Sequence, residues 1–267
     1  MLNEEKIIGY FTKNYKKIGD DCAYLSQTKQ LISTDTLVEN KHFDLKYFTP
    51  KNIAHRLFTS NYSDIQSSGG KPKFALLNVS FPNKNFNLVN QIIKNFHKYC
   101  SKFGVEIVGG DTTSSDKIIL SMTILSDVIG RDKIINRSNA RINDKIYTFS
   151  GIGYSKLGYL NIYNKLKLPR NISSNSKKQF LNPKIYTYFD LFKKLKLSSC
   201  MDISDSLLSS LRSISSQSNK KIVLTDLSNI NKKLNVFFKN DKIYNSLILS
   251  SGEEFVPVFT SPLNLLK

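Results

Sequence analysis

Residues 30–81 contain, in order, QLIST (30–34), PKNIAHRLFTSNYSDIQ (50–66) and KFALLNVSF (73–81). The two outer runs are short and apolar and predict strands. The middle run predicts a helix with Pro50 near its start, closed by Ser67-Ser68-Gly69-Gly70. Working outward, residues 84–103 predict a second long helix with Leu88, Ile92, Ile93 and Phe96 inward. VEIVGG (105–110) reads as a buried strand and IILSMTIL (118–125) as a half-alternating one. Upstream, residues 4–16 form a weakly amphipathic helical pattern through Ile7, Ile8 and Phe11. Beyond a turn-rich stretch (130–144) the alternation resumes. It gives a strand at 145–150, a Gly-rich turn at 151–158, helical segments to 195, a helix opening at Ser204, and strands at 221–225 and 254–260. The Asn/Ser/Lys run at 171–178 reads as a surface loop. Strands and helices alternating throughout predict a mixed α/β (α+β) architecture in two domains, 1–138 and 139–267.

The 267 residues are 40% hydrophobic, enough for a substantial core. No apolar run is long enough to span a membrane, and the N-terminus lacks the apolar core of a secretory signal. Cys22, Cys100 and Cys200 are few, odd in number and widely spaced, which argues against a disulfide framework or a zinc site and predicts a cytoplasmic protein. The 39 basic and 21 acidic residues give a formal charge of +18, the first mark of a nucleic-acid binder. Yet only six of the basic residues are Arg, the side chain that reads and stacks on bases, and no RNA- or DNA-binding signature is present. The excess reads as a compositional bias toward Lys, with no specific nucleic-acid partner. A positive field would also steer an anionic substrate.

Five segments place Asp after a few apolar or small residues: IGDD (18–21), LISTD (31–35), NYSD (61–64), IVGGD (107–111) and MDISD (201–205). Any one could be a turn or a cap. If they converge, two carboxylates about 5 Å apart repel by roughly 3 kcal/mol at an effective dielectric near 20. Such a cluster requires cations, and an all-oxygen ligand set suits Mg²⁺ or Ca²⁺ working on phosphates. No P-loop, protein-kinase set, dinucleotide fingerprint or GxSxG elbow is present. His55 and His97 lie on helical stretches and read as structural or solvated, leaving His42 as the histidine nearest the acidic segments.

IGDDCAYL, LISTDTLVENKHF, NYSDIQSSGGKP, VGGDTT, NRSNARINDKIYTFSGIGYSKLG, MDISDSLLSSL and SGEEF occur in an order and spacing that resembles the thiamine-monophosphate kinase family. That family is part of the superfamily of aminoimidazole ribonucleotide synthetase, selenophosphate synthetase and a hydrogenase maturation protein. The resemblance implies a homodimer joined through its N-terminal sheets. It implies ATP-dependent phosphorylation of thiamine monophosphate to thiamine diphosphate with several Mg²⁺. Carried over by motif, Asp21, Ser33, Thr34, Asp35, Asp64, Asp111, Asp202 and Asp205 would hold metal. Gly110, Asp111, Arg137 and Ser204 would touch ATP, and His42 and Glu253 the thiamine compound. No general base is assigned. The alternatives are a sister ATP-using enzyme acting on another small substrate, and a non-catalytic basic binding protein on the same scaffold.

The chain departs from the family pattern in places. Ser206 stands where Gly is usual, the SGGEDYEL segment reads SSGEEFVP (250–257), and a Pro-x-Pro-Arg stretch is reduced to LNPK (181–184). The family also continues for several dozen residues past the point matching Lys267. The expectation is a shortened C-terminal domain, with the shortening weakening thiamine monophosphate binding more than ATP binding relative to a full-length relative, and with Phe255 or Phe259 as candidate replacements for a missing aromatic contact.

Overall fold

The computed structural model describes residues 4–15, 18–128, 134–149 and 151–265. The first half forms a five-stranded sheet of order β1-β2-β5-β3-β4. Its strands are β1 (Ala23–Leu25), β2 (Gln30–Val38), β3 (Gly70–Phe81), β4 (Glu106–Ser114) and β5 (Ile119–Val128). Only the β3–β4 pair is parallel. A short helix, α1 (Glu4–Thr12), precedes the sheet, and α2 (Pro50–Ser67) and α3 (Phe86–Phe103) accompany it. α2 starts as its sequence requires. Pro50 occupies the first turn, and Thr49 and Asn52 exchange side-chain-to-backbone hydrogen bonds of 3.3 and 3.1 Å in a capping box. α3 turns Val89, Ile92, Phe96 and Cys100 inward, one per turn, and ends at the left-handed Gly104.

The second half holds a three-stranded sheet of order β6-β8-β7, made of β6 (Lys145–Thr148), β7 (Ser199–Asp202) and β8 (Pro257–Ser261). Around it lie α4 (Tyr154–Ile162), α5 (Arg170–Leu181), α6 (Phe189–Lys194), α7 (Leu207–Ser218), α8 (Lys232–Phe238) and α9 (Asp241–Leu249). Its main core gathers Ile203, Leu211, Ile214, Leu234, Tyr244 and Val258, separate from the core under the first sheet. The halves are not independent, because Phe180 of α5 is buried in the first core. The architecture is mixed α/β with two sheets, as the alternation predicts.

Three local readings are corrected. Residues 171–178 are not a loop but most of α5. Ile172, Ser176 and Phe180 form a buried stripe at four-residue spacing, and Gly158 of α4 admits it. A Cβ on Gly158 would lie 2.2 Å from the Ser176 carbonyl oxygen. The run at 221–225 has no regular secondary structure and forms no ladder among the described residues, and Val223 and Leu224 are exposed. Of the strand read at 105–110 only Val105 is buried: every residue of β4 is exposed, because it is the sheet edge and has one neighbour. Ser206, by contrast, is harmless. Its φ is −171°, and its hydroxyl caps α7 by accepting a hydrogen bond from Ser209 N–H at 3.0 Å.

Candidate functional site

The acidic segments meet around α2. Along this largely buried helix, Arg56, Ser60, Ser63, Asp64 and Ser67 recur at three- or four-residue spacing, so they share one face. Each turn serves a different segment of the chain. Arg56 pairs with Glu253, Ser60 bonds the Asp35 carboxylate, Ser63 donates to Asp202, and Ser67 donates to Asp21 at 2.9 Å. Asp64 in turn accepts 2.7 Å from Ser33. One amphipathic stripe thus collects groups from β2, the loop before β1, the end of β7 and the segment before β8.

Carboxylate oxygens of Asp21, Asp64 and Asp202 all lie within 4.8 Å of one another. At that separation each pair repels by about 3 kcal/mol at an effective dielectric of 20. Burial pushes all three carboxyls above the ordinary range. For Asp64 and Asp202 the shift is large, and neighbouring carboxylates add to it. Asp35 is raised by burial and lowered somewhat by Ser60 and His42. Asp202 Oδ1 is buried with no hydrogen-bond partner. An orphan carboxylate oxygen inside a cluster of like charges is a donor set for a hard divalent cation.

Arg137 closes the cluster from the other side. Its guanidinium pairs with Asp21 and donates to the Gly19 carbonyl at 3.2 Å, while its Nε has no partner. Ser204 and Asp205 follow Asp202 and are exposed. Asp205 lines a cavity of about 450 Å³ together with His42 and Glu253, so the two residues expected at the thiamine compound share one wall. His42 accepts 2.9 Å from Val38 N–H at Nδ1, which leaves Nε2 as the protonated nitrogen of the neutral ring. Glu253 has a positive φ of 53°, in a turn that lies against Ser204.

Besides Asp205, an expected ligand that lines the cavity and is not in the group of three carboxylates, two more expected ligands stand elsewhere. Thr34 alternates with Ser33 and Asp35 and therefore projects from the opposite face of β2, where its hydroxyl bonds Met122 O at 3.1 Å and Thr123 at 3.0 Å. Asp111 sits on β4. The register Asp35–Met122–Leu77–Gly110 puts it three strand spacings away, roughly 14 Å at the usual interstrand distance. Gly110, beside it, has φ +151° and could carry no side chain, since a Cβ would lie 1.8 Å from Leu77 O.

Sequence reasoning missed Arg56. It is 1% exposed, with its guanidinium 4.9 Å from the ring centroids of both Phe48 and Phe180. Besides Glu253 it donates to Phe180 O at 2.7 Å. The readable signal was a cation on the same helical stripe as Asp64. The aromatic lining of the cavity comes from Phe43, Tyr159, Tyr163 and Phe180, whereas Phe255 and Phe259 are buried and absent from it.

Glu254 lies behind the cavity. It is 1% exposed and accepts from Gly153 N–H at 2.7 Å and Ser251 Oγ at 2.6 Å, anchoring the start of α4, which supplies Ser155, Lys156 and Tyr159 to the wall. Burial pushes its carboxyl up to about 7 from 4.5. A raised folded-state pKa favours the native state below the unfolded value and loses that contribution as pH rises to the folded one. Glu254→Gln should therefore gain on the parent between pH 4.5 and about 7, by about 3 kcal/mol in full. Urea unfolding of both proteins at pH 5 and pH 8 checks this, and a pH-independent difference would refute it.

Comparison with known proteins agrees with this geometry. Residues 19–128 match the family of AIR synthase related proteins, N-terminal domain. The chain is 32% identical over 254 residues to the thiamine-monophosphate kinase of Leptospira interrogans, covering 93% of this chain and 80% of that protein. It is 33% identical to the thiamine-monophosphate kinase of Buchnera aphidicola from Schizaphis graminum, covering 97% and 83%. Among solved structures, AaThiL complexed with AMPPCP and TMP superposes with a TM-score of 0.84 at 26% identity, over 98% of this chain and 85% of that one. Acidic segments that meet on α2, a neighbouring cavity holding His42 and Glu253, and relatives at this identity and coverage place the chain in the thiamine-monophosphate kinase family.

Proposed function

We propose that this chain transfers the terminal phosphoryl group of ATP to thiamine monophosphate, giving thiamine diphosphate. The observation that carries the reading is the convergence of Asp21, Asp64 and Asp202 beside a cavity lined by His42, Asp205 and Glu253, in a chain of this family. The acceptor is itself a phosphate whose second pKa is near 6, so its oxygen is ionised at neutral pH and needs no general base. The site must instead hold two polyanions together and in line. Asp21, Asp64 and Asp202, with Asp35 close by, would hold Mg²⁺. When bound, Mg²⁺ would supply positive charge to neutralise the phosphates.

The chain's own groups do the rest. His42 offers its Nε2–H to the substrate in the cavity. Glu253 keeps one carboxylate oxygen on Arg56 and the other free for a donor. Tyr159, Tyr163 and Phe180, with Glu253 and Asp44, suit a cationic aromatic ring such as a thiazolium. Arg137 would exchange part of its contact with Asp21 for nucleotide phosphate, through an Nε that has no protein partner.

An ADP-release assay offering thiamine monophosphate, thiamine, selenide and formylglycinamidine ribonucleotide in parallel tests the reading. Turnover is expected with thiamine monophosphate alone. Preference for either of the last two would establish the sister-enzyme alternative, and no turnover with any would favour the binding protein.

The protein acts as a homodimer in this reading. The support is the edge strand β4, exposed along its whole length, with Val108 52% and Ile107 37% exposed. Sedimentation at micromolar concentration should show a dimer, and Val108→Asp should shift it to monomer. A monomeric parent would refute this arrangement.

A further inference from the structure

A second cavity, of about 780 Å³, opens between α2, α3 and α5 and shares no lining residue with the first. Its size is that of a small-molecule site. Five of its sixteen lining residues are lysines: Lys51 of α2, Lys98 and Lys102 on one face of α3, Lys178 of α5, and Lys184. None of the sixteen is acidic. A sixteen-residue sample of this chain's composition would hold about two lysines and one acid, so compositional bias alone does not account for the lining. Among the described residues, none of the five lysines has a carboxylate within ion-pair distance. No carboxylate therefore neutralises the charge, and only Lys102 and Lys184 lie over rings of the lining, 5.4 Å from Phe103 and 4.4 Å from Tyr186.

A neighbouring group reports this field. His55, 4% exposed at the cavity wall, is pushed down to about 4 by burial and then by Arg56, Lys51 and Lys102. Neither the acidic cluster nor the substrate cavity makes use of these lysines. Three tyrosines, Tyr99, Tyr154 and Tyr186, complete the walls with aromatic surface.

We propose that this cleft binds a compact multivalent phosphate anion, as free polyphosphate or as the phosphate chain of a nucleotide. Several lysines converging from three helices match several phosphate charges, and the absence of any carboxylate removes the repulsion that such an anion meets at the metal-free acidic cluster. His55 faces this cleft next to Arg56, and Gln179 lines it next to Phe180 of the first cavity.

The test is calorimetric titration of the full chain in EDTA, with sodium tripolyphosphate in one arm and ADP in the other. Without divalent cations the clustered carboxylates disfavour binding at the first site. Saturable binding is expected. It should weaken roughly tenfold or more in Lys98→Glu/Lys102→Glu, the order expected when two nearby charges reverse. It should stay unchanged in Lys232→Glu/Lys233→Glu, which removes the same net charge on α8. Lys98→Gln/Lys102→Gln, expected to fall between, guards against misfolding of the reversal variant. Tighter tripolyphosphate binding identifies the phosphate chain alone as the ligand, and tighter ADP binding adds a base on the tyrosines. No saturable binding in either arm, or equal loss in the α3 and α8 variants, would overturn the proposal.

Discussion

Asp64→Asn is expected to lower turnover by roughly a thousandfold or more, the scale seen when a preorganised charge contact is removed from a reacting phosphoryl group. The same variant should leave the metal-free protein at least as stable as the parent. Asp64 sits at the centre of the repulsion, with its carboxyl raised well above the ordinary range by burial and then by Asp202, Asp35 and Asp21. Neutralising it removes cost from the folded state. Mg²⁺ should raise the parent's unfolding midpoint by several degrees, since ligand at a hundred times its Kd contributes about 2.7 kcal/mol. The variant should lose most of that rise. Thermal unfolding with and without Mg²⁺, beside steady-state rates, separates the two effects. A variant that keeps both its turnover and its Mg²⁺ shift would remove Asp64 from the site.

Arg56→Ala is the second large effect. The guanidinium is enclosed by Phe48 and Phe180 and bonded to Glu253 and Phe180 O, so its loss leaves a void and a carboxylate without its partner. The expected cost is about 3 kcal/mol of stability, discounted from the largest buried-pair values because Glu253 is 36% exposed. Glu253 also loses the contact that aims it into the cavity. The KM for thiamine monophosphate should rise about tenfold, a loss of roughly 1.4 kcal/mol, with ATP binding little changed. Arg56→Lys distinguishes orientation from mere packing. It keeps charge and much of the volume but cannot reach Glu253 and the Phe180 carbonyl with one planar fork. It should recover most of the stability and little of the KM. Equal recovery of both would reduce Arg56 to a packing residue.

The sequence by itself determined the strand–helix alternation, the start of α2 at Pro50, the inward face of α3 and the five acidic segments. These are legible because they depend on neighbours a few residues away. Periodicity, a capping residue or a small residue before Asp acts through local backbone geometry. Two kinds of feature needed the tertiary structure. One is the burial of an element. QLIST and VEIVGG read alike, yet β2 lies inside the sheet and β4 on its edge, and strand order is set by partners far along the chain. The polar run at 171–178 becomes helical because Gly158 lets Ser176 approach α4, a contact no local pattern encodes. The other is the set of long-range polar pairs. Arg56 and Glu253 are 197 residues apart, and Ser63 and Asp202 are 139. The spacing 56-60-63-64-67 is present in the sequence, but nothing local marks it as a stripe or names its partners. Which carboxylate faces which hydroxyl depends on how α2 lies across the first sheet against β7 of the second, and that is decided by packing of the two cores together.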